Sequence, residues 1–151
     1  MHGSNKLEFS RITPYTFLGT NMCCQGHFDA KLVKKGIEAE ISLEYDNMDT
    51  PRGIKYFLWL PTRDHTAPSL EALRIGTAAL SELIKNKVKT YVHCKQGHGR
   101  SPTLVAAYLI LQGKNWKESV RFIKKKRPSI HLTDSQVKTL VKFEKMIKKS
   151  I

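Results

Sequence analysis

The sequence predicts one α/β domain with a central, mostly parallel sheet flanked by helices and with a helical C-terminal half. Short β-like runs alternate with helical patterns through the first two thirds of the 151 residues, and only helical patterns follow residue 93. The chain also has no Pro/Gly/Ser-rich linker and no internal repeat. We therefore treat residues 1–151 as a single domain, in which residues 1–8 are expected to form a flexible lead-in.

The predicted strands are short runs rich in β-branched, aromatic or leucine residues. Because helical patterns separate most of these runs, the strands are expected to pair mainly in parallel. The strands are predicted over Tyr15–Thr20, Ala39–Leu43, Tyr56–Leu60 and Val88–His93.

The predicted helices combine apolar residues at helical spacing with recognisable start and stop residues. Pro102 stands near the start of the third helix, and Pro128 follows the fourth. Thr133 and Gln136 form a capping box for the last helix. The five helices are predicted over Asp29–Lys35, Ser69–Lys87, Ser101–Leu111, Trp116–Lys126 and Asp134 to about Lys149.

The charge of the chain predicts an anionic ligand. With 26 Lys plus Arg against 13 Asp plus Glu, the net charge is +13, which suits a phosphorylated protein, a phospholipid headgroup or a nucleic acid. Residues 113–151 hold twelve basic and three acidic residues, which we interpret mainly as solvated helix faces. A peripheral contact with an anionic membrane is the alternative. No base-reading motif supports specific binding of nucleic acid.

The cysteines and the apolar runs indicate a soluble, cytoplasmic protein. Three cysteines at uneven spacing do not make a disulfide framework, which favours a reducing compartment. The longest apolar stretch, Leu104–Leu111, is much shorter than the ~20 residues of a membrane span. The chain opens without a signal-peptide pattern. We expect a monomer.

Two neighbouring cysteines, Cys23 and Cys24, with His27 carry atoms that can ligate zinc. Adjacent cysteines rarely bind one ion without strain and no fourth ligand is evident, so we predict no metal site. A protective disulfide between one of them and Cys94 stays open as a second interpretation.

The segment of residues 91–102, with the sequence YVHCKQGHGRSP, carries the chemistry. It leads from the end of an apolar strand to the start of an apolar helix. Its two glycines allow successive backbone N–H groups to converge on one anion, and the helix N-terminus adds partial positive charge there. A phosphate fits such a cradle. The predicted phosphate-binding residues are Lys95, Gln96, Gly97, His98, Gly99 and Arg100.

Cys94 is the predicted nucleophile. The loop contains no acidic residue and several cations, which stabilise a thiolate over a thiol. Arg100 can offer a two-pronged fork to phosphate oxygens, a geometry that lysine lacks. Ser101 can donate its hydroxyl to the sulfur when the cysteine leaves. A buried structural thiol is the alternative, but it leaves the glycines and the arginine without a purpose.

These residues resemble the signature of the cysteine-dependent protein tyrosine phosphatase superfamily, in which five residues separate the cysteine from the arginine. Ser101 and Pro102 resemble its dual-specificity branch more closely. The resemblance implies the fold of that branch and two-step phosphate-ester cleavage through a phosphocysteine, with no metal or other cofactor. Similar segments are Ile12–Gly19, Lys35–Ile37 and Arg127–Phe143; residues 91–95, 105–110 and 130–131 also look like mitochondrial phosphatidylglycerophosphate phosphatases.

The resemblance also implies a general acid on a loop. Residues 59–68 follow a predicted strand and precede the long helix, as the acid loop of the family does, and Asp64 is the candidate. Three other aspartates compete on composition. Asp46 and Asp49 fall in a predicted turn, and Asp134 is explained as a charge at the start of the last helix.

Three further residues of the loop have roles by resemblance. In the family, the residue at the position of His93 forms hydrogen bonds within the loop and helps to hold the thiolate, a supporting role. Lys95 and His98 either face solvent or select multiply anionic substrates, as basic residues do in lipid phosphatases of the superfamily.

The function predicted first is a dual-specificity protein phosphatase acting on phosphotyrosine and on phosphoserine or phosphothreonine. The alternative is a phosphatase of lipid phosphates, either phosphoinositides or phosphatidylglycerophosphate, that uses the same site. A non-catalytic module that binds phosphate groups is the third candidate, although such a module has no need of both Cys94 and Asp64.

Overall fold

The computed structural model describes residues 7–21, 29–48, 50 and 52–150. In these ranges two helices stand between the five strands, and three further helices follow the last strand. The strands are β1 (Phe9–Thr13), β2 (Thr16–Gly19), β3 (Ile37–Ser42), β4 (Tyr56–Trp59) and β5 (Lys89–His93), and the helices are α1 (Ala30–Lys34), α2 (Leu70–Lys85), α3 (Arg100–Leu111), α4 (Trp116–Lys126) and α5 (Asp134–Lys149).

The strands form one sheet in the order β1-β2-β5-β3-β4. β1 is antiparallel to β2, and the other three neighbouring pairs are parallel. His93, the last residue of β5, is level with Gly19 of β2 and Ser42 of β3. The α/β fold with a mostly parallel sheet is therefore confirmed, and the loop after β5 emerges between the ends of two neighbouring strands.

Strand β1 lies outside the predicted strands. It is an edge strand in which only Ile12 is fully buried, so the segment carries little of the hydrophobic alternation from which strands are recognised. It packs against β2 through an antiparallel pairing with an irregular register near Thr13. Pairing with β2, rather than burial of its own side chains, defines this strand.

Helix α3 lies at the centre of the domain. All eleven residues from Arg100 to Ile110 are buried, and the helix contacts α2, α4 and α5 as well as the sheet. Leu18 and Val92 of the sheet belong to this core, whereas their neighbours Phe17 and Tyr91 join a smaller cluster beside α1. The alternation of side chains along β2 and β5 thus places apolar residues on both faces of the sheet.

The described ranges contain no helix that is long and apolar enough to cross a membrane. The most apolar helix, α3, has 12 residues, and its apolar surface is taken up by the other helices and the sheet.

We expect Leu104→Ala to lower the free energy of unfolding by about 2–5 kcal/mol, because the substitution opens a cavity in the buried centre of α3. The matched control is Ile75→Ala on α2, where 51% of the side chain is exposed and a change within about 0.5 kcal/mol is expected. Urea unfolding followed by circular dichroism measures both. Equal losses in the two variants would contradict the central position of α3.

Candidate active site

The loop after β5 borders a small cavity of about 120 Å³ at the C-terminal edge of the sheet. Two of the predicted cradle residues, Lys95 and Gly97, do not line it. Four other residues line the cavity although the sequence predicted no site role for them: His65, His131, Thr133 and Gln136. The predicted residues in its lining are Asp64, Cys94, Gln96, His98, Gly99 and Arg100.

The sulfur of Cys94 lies against the first turn of α3. It is a free thiol, 2% exposed, which the cavity reaches from outside. Its Sγ is 3.2 Å from Oγ of Ser101, so the two side chains share a hydrogen bond. A hydroxyl in this place can donate to a sulfur that carries negative charge.

Arg100 joins the loop to the acid segment, residues 59–68, which contains Asp64. Its side chain is buried, and Nη1 donates a hydrogen bond of 2.9 Å to the carbonyl oxygen of Thr62. Its Nη2 lies 3.6 Å from Oδ1 of Asp64. The guanidinium is therefore held between the loop and the acid segment, where its remaining donors can meet an anion in the cavity.

The start of α3 is open to a ligand. Its N-cap is Gly99, which provides no side-chain hydrogen bond to the first turn. A Cβ at Gly99 would lie 2.6 Å from Oε1 of Gln136, so the absence of a side chain there provides space for α5. Gly97 has φ +69°, a left-handed conformation that bends the loop before the helix.

We expect Gly97→Ala to lower the free energy of unfolding by about 2 kcal/mol or more and to weaken phosphate binding. The left-handed backbone costs alanine about 1–2 kcal/mol, and its Cβ would lie 2.7 Å from the carbonyl oxygen of Gly19. Gly113→Ala is the matched control: Gly113 has φ +107°, and a Cβ there meets nothing within 4 Å. Calorimetry measures stability and phosphate affinity for both. If the two variants lowered phosphate affinity equally, the contact between residue 97 and the Gly19 carbonyl would be unimportant for binding.

Asp64 lies on the exposed side of the cavity, with 61% of its side chain accessible. Its Oδ1 accepts a hydrogen bond of 2.9 Å from the backbone N–H of His65. The position agrees with that of a group that exchanges protons with solvent and also reaches a substrate beside Arg100. Arg63, the preceding residue, packs its guanidinium 4.9 Å from the ring centre of Tyr45.

The first turn of α5 holds the acid segment. Thr133 and Ser135 both donate side-chain hydrogen bonds to the carbonyl oxygen of His65, at 3.1 and 3.3 Å. Nε2 of Gln136 donates to the carbonyl oxygen of Thr66 at 3.0 Å. The predicted capping box of Thr133 and Gln136 is confirmed. Its attachment to the acid segment was missed, because sequence spacing shows a cap but not what else the cap contacts.

His93 faces two buried glutamates. Its Nε2 lies 2.6 Å from Oε2 of Glu40 in β3, and its Nδ1 lies 3.7 Å from Oε2 of Glu44. The imidazole also stacks on the ring of Tyr91 at 5.3 Å. The family resemblance predicted hydrogen bonds within the loop. The two glutamates were not expected, because nothing in the sequence around them marks a carboxylate that points inward.

The end of β2 supports the loop from outside. The backbone N–H of Asn21 donates to the carbonyl oxygen of Lys95 at 3.1 Å. The hydroxyl of Tyr91 donates to the carbonyl oxygen of Thr20. Burial raises the pKa of Tyr91 well above its usual value, so the hydroxyl keeps the proton that this hydrogen bond needs.

The other sequence candidates lie elsewhere. Asp46 is exposed in the segment after β3, and Asp134 is the first residue of α5, as expected of a helix-start charge. Asp49, and the segment with Cys23, Cys24 and His27 for which we predicted no metal site, fall outside the described residues. Among the residues that are described, no three His, Cys, Asp or Glu side chains are grouped to hold a metal ion.

A larger cavity of about 570 Å³ lies between β4 and α2. Its lining includes Glu38, Lys55, Tyr56 and Glu82 but no cysteine and no arginine. It therefore lacks both a cysteine nucleophile and an arginine that could bind phosphate in two places, whereas Cys94 and Arg100 line the smaller cavity.

Comparisons with known proteins agree with this geometry. The human phosphatidylglycerophosphatase and protein-tyrosine phosphatase 1 is 42% identical over 93 residues, which cover 60% of this chain and 46% of that protein. The match spans about a quarter to two thirds of the length of the curated relatives, and about half of the human protein. The crystal structure of PTPMT1 superposes with a TM-score of 0.79 at 25% identity, covering 95% of this chain and 98% of that one.

The fold itself is shared more widely. Human DUSP28 superposes with a TM-score of 0.84 at 21% identity, over 94% of this chain and 99% of that one. The family model described as the catalytic domain of dual specificity phosphatases matches residues 17–146, which include the whole loop from Cys94 to Arg100 and the acid segment. The chain therefore belongs to the dual specificity phosphatase catalytic-domain family, within the cysteine-dependent protein tyrosine phosphatases.

Proposed function

We propose that the protein hydrolyses phosphate monoesters in two steps through a phosphocysteine. The observation that carries the proposal is the grouping of a free thiol, a buried guanidinium and an exposed carboxylate around one cavity. The thiol of Cys94 and the hydroxyl of Ser101 lie 3.2 Å apart, at the start of helix α3, which has no side-chain cap. A module that only binds phosphate needs neither the thiol nor the carboxylate.

In the first step the thiolate of Cys94 attacks phosphorus in line with the ester oxygen. The S–P bond forms, the P–O bond to the leaving group breaks, and Asp64 gives its proton to the leaving oxygen. Arg100 and the backbone N–H groups of the loop stabilise the charge on the three remaining oxygens. The held position of the guanidinium, bound to the Thr62 carbonyl, means that little reorganisation is needed.

In the second step water attacks phosphorus of the phosphocysteine. Asp64, now a carboxylate, takes the proton from the water, the S–P bond breaks, and inorganic phosphate is released. The hydroxyl of Ser101 donates a hydrogen bond to the departing sulfur, which stabilises the thiolate as a leaving group. The enzyme returns to its starting state, and neither step uses a metal ion or other cofactor.

Phosphorylated protein is the substrate we propose first. The cavity of about 120 Å³ is large enough for the phosphoryl group, and the rest of a substrate would lie on the rim. Because the site holds only the phosphoryl group, it suits side chains of different length, as in phosphotyrosine and phosphothreonine. The name of the human relative includes protein-tyrosine phosphatase activity for that protein.

Lipid phosphate is the second candidate, and the composition of the rim favours it. His65 and His98 line the cavity, and Lys95 lies in the same loop, so a substrate with several negative charges meets several basic groups. The net charge of +13 favours approach to an anionic membrane. The same human relative is named a phosphatidylglycerophosphatase.

The test begins with p-nitrophenyl phosphate in the presence of EDTA, where we expect hydrolysis and inhibition by vanadate. No turnover in EDTA, restored by a divalent cation, would overturn the mechanism. Values of kcat/KM are then compared for phosphotyrosine and phosphothreonine peptides and for vesicles that contain phosphatidylglycerophosphate or phosphoinositides. Lipid would replace protein as the substrate class if kcat/KM were higher for the vesicles and if His98→Ala lowered this value more than the value for the peptides.

The surroundings of the enzyme belong to this proposal too. We propose a monomer that works in a reducing compartment such as the cytoplasm, in keeping with a thiol nucleophile that must stay unoxidised. Labelling of the full-length protein in cells, together with its mass in solution, tests both points.

A further inference from the structure

One buried cation remains outside the chemistry described so far. Arg127 is the C-cap residue of α4, 5% exposed, with its backbone N–H bonded to Ile123 at 2.8 Å. It does not line the cavity. A buried guanidinium is costly unless its donors are used, so its hydrogen bonds indicate its purpose.

Those hydrogen bonds run to the loop that carries the nucleophile. Nε of Arg127 donates to the carbonyl oxygen of Gly97, and Nη2 donates to that of Gln96, both at 3.1 Å. Nη1 lies 3.5 Å from Oγ of Ser10 in β1. One planar group thus holds two consecutive carbonyl groups of the loop and connects them to the edge of the sheet.

Holding a carbonyl group also orients an N–H group. In a trans peptide the C=O and N–H of the same unit point in opposite directions, so the N–H of Gly97 points away from the carbonyl of Gln96. The N–H of His98 likewise points away from the carbonyl of Gly97. Because Arg127 binds both carbonyl groups from outside the cavity lining, the two N–H groups face away from the guanidinium.

We propose that Arg127 is a positioning residue, which holds the Gln96 and Gly97 carbonyl groups so that the N–H groups of Gly97 and His98 point at the phosphoryl oxygens. The inference rests on the proposed function, because it names what prepares the same site for its anion. The arginine acts through the loop and touches neither the substrate nor the sulfur. Without it, the two peptide units are free to rotate, and each substrate must order them again.

The main test is Arg127→Met, which keeps the length and apolar part of the side chain and removes its donors. We expect kcat/KM for p-nitrophenyl phosphate to fall roughly 10²-fold, comparable to the loss of an oriented donor to a developing anion. Arg127→Lys supplies one point donor instead of a fork and should lose about tenfold. Arg121→Met on the same helix is the matched control, since it removes one exposed arginine and should leave kcat/KM unchanged.

A second measurement separates positioning from general stability. In the Cys94→Ser background, inorganic phosphate is titrated while the amide signals of Gly97 and His98 are followed by ¹H–¹⁵N NMR. We expect large shifts of both signals with Arg127 present, and smaller shifts with roughly tenfold weaker affinity in the variants. Loss of stability alone would reduce the folded fraction but leave the shifts of the folded protein unchanged. If Arg127→Met does not fold, Arg127→Lys carries the same test.

The outcomes distinguish the two proposals. If the Cys94→Ser protein with Arg127 intact binds no phosphate, the proposed function fails. If it binds phosphate, and folded Arg127 variants bind equally tightly with the same shifts of Gly97 and His98, only the role of Arg127 is overturned.

Discussion

The Cys94→Ser variant should lose turnover by roughly 10⁴-fold or more while it still binds phosphate. The serine hydroxyl at this position is a far weaker nucleophile than a thiolate. Its neighbour at 3.2 Å from Sγ is the hydroxyl of Ser101, which is not a base and cannot activate it. The cradle consists of backbone N–H groups and Arg100, which the substitution leaves in place. Steady-state hydrolysis of p-nitrophenyl phosphate and calorimetric titration with inorganic phosphate measure the two properties.

Ser101→Ala is the matched control for that experiment. It removes the hydrogen bond to the sulfur but keeps the nucleophile, so phosphocysteine should form and then accumulate. A burst of p-nitrophenol before slow turnover, and a phosphorylated Cys94 in the quenched protein, are the expected signs. If Cys94→Ser turned over substrate like the natural chain, Cys94 would be excluded as the attacking group.

The Asp64→Asn variant should lower kcat/KM by about 10²–10⁴-fold for alkyl phosphates, whose leaving oxygen must be protonated. The loss should be smaller for p-nitrophenyl phosphate, because p-nitrophenolate departs with little help. Asparagine keeps an oxygen that can accept the hydrogen bond from the His65 N–H, so the segment should keep its shape. Phosphate affinity should stay the same or rise, since a negative charge 3.6 Å from the Arg100 guanidinium is removed.

Asp46→Asn is the matched control, because Asp46 is an exposed aspartate in the turn after β3. It removes the same charge at a position outside the cavity lining and should leave both substrates unaffected. Rate constants are measured for a series of phosphates with leaving groups of increasing basicity. The rate constant should fall more steeply with that basicity in Asp64→Asn alone. A dependence as shallow as that of the natural chain would remove Asp64 from the mechanism.

The fold was predictable because most of its elements carry strong local signals. β5 and α3 are apolar runs bounded by turn residues, and the Thr133–Gln136 capping box marks the start of α5 to the residue. β1 carries no comparable signal, since an edge strand with one fully buried side chain is specified by its partner strand.

The candidate site was predictable as far as it is local in sequence. Cys94, Arg100 and the cradle lie within seven consecutive residues, and a short loop leaves them few ways to be apart. Asp64 came from family resemblance, and its distance of 3.6 Å to Arg100 depends on the crossover through α2. The contacts of Arg127, Gln136 and Glu40 join segments more than 25 residues apart and leave no pattern in a single sequence.

The burial of α3 predicts which part of the domain opens first. Amides in a helix enclosed by protein exchange with solvent only when the whole domain opens, whereas the acid segment is attached by a few exposed hydrogen bonds that break in local fluctuations. Mild heat or denaturant should therefore release the acid segment before α3 opens. If Asp64 is the proton donor that we propose, hydrolysis of alkyl phosphates should then be lost under milder conditions than hydrolysis of p-nitrophenyl phosphate.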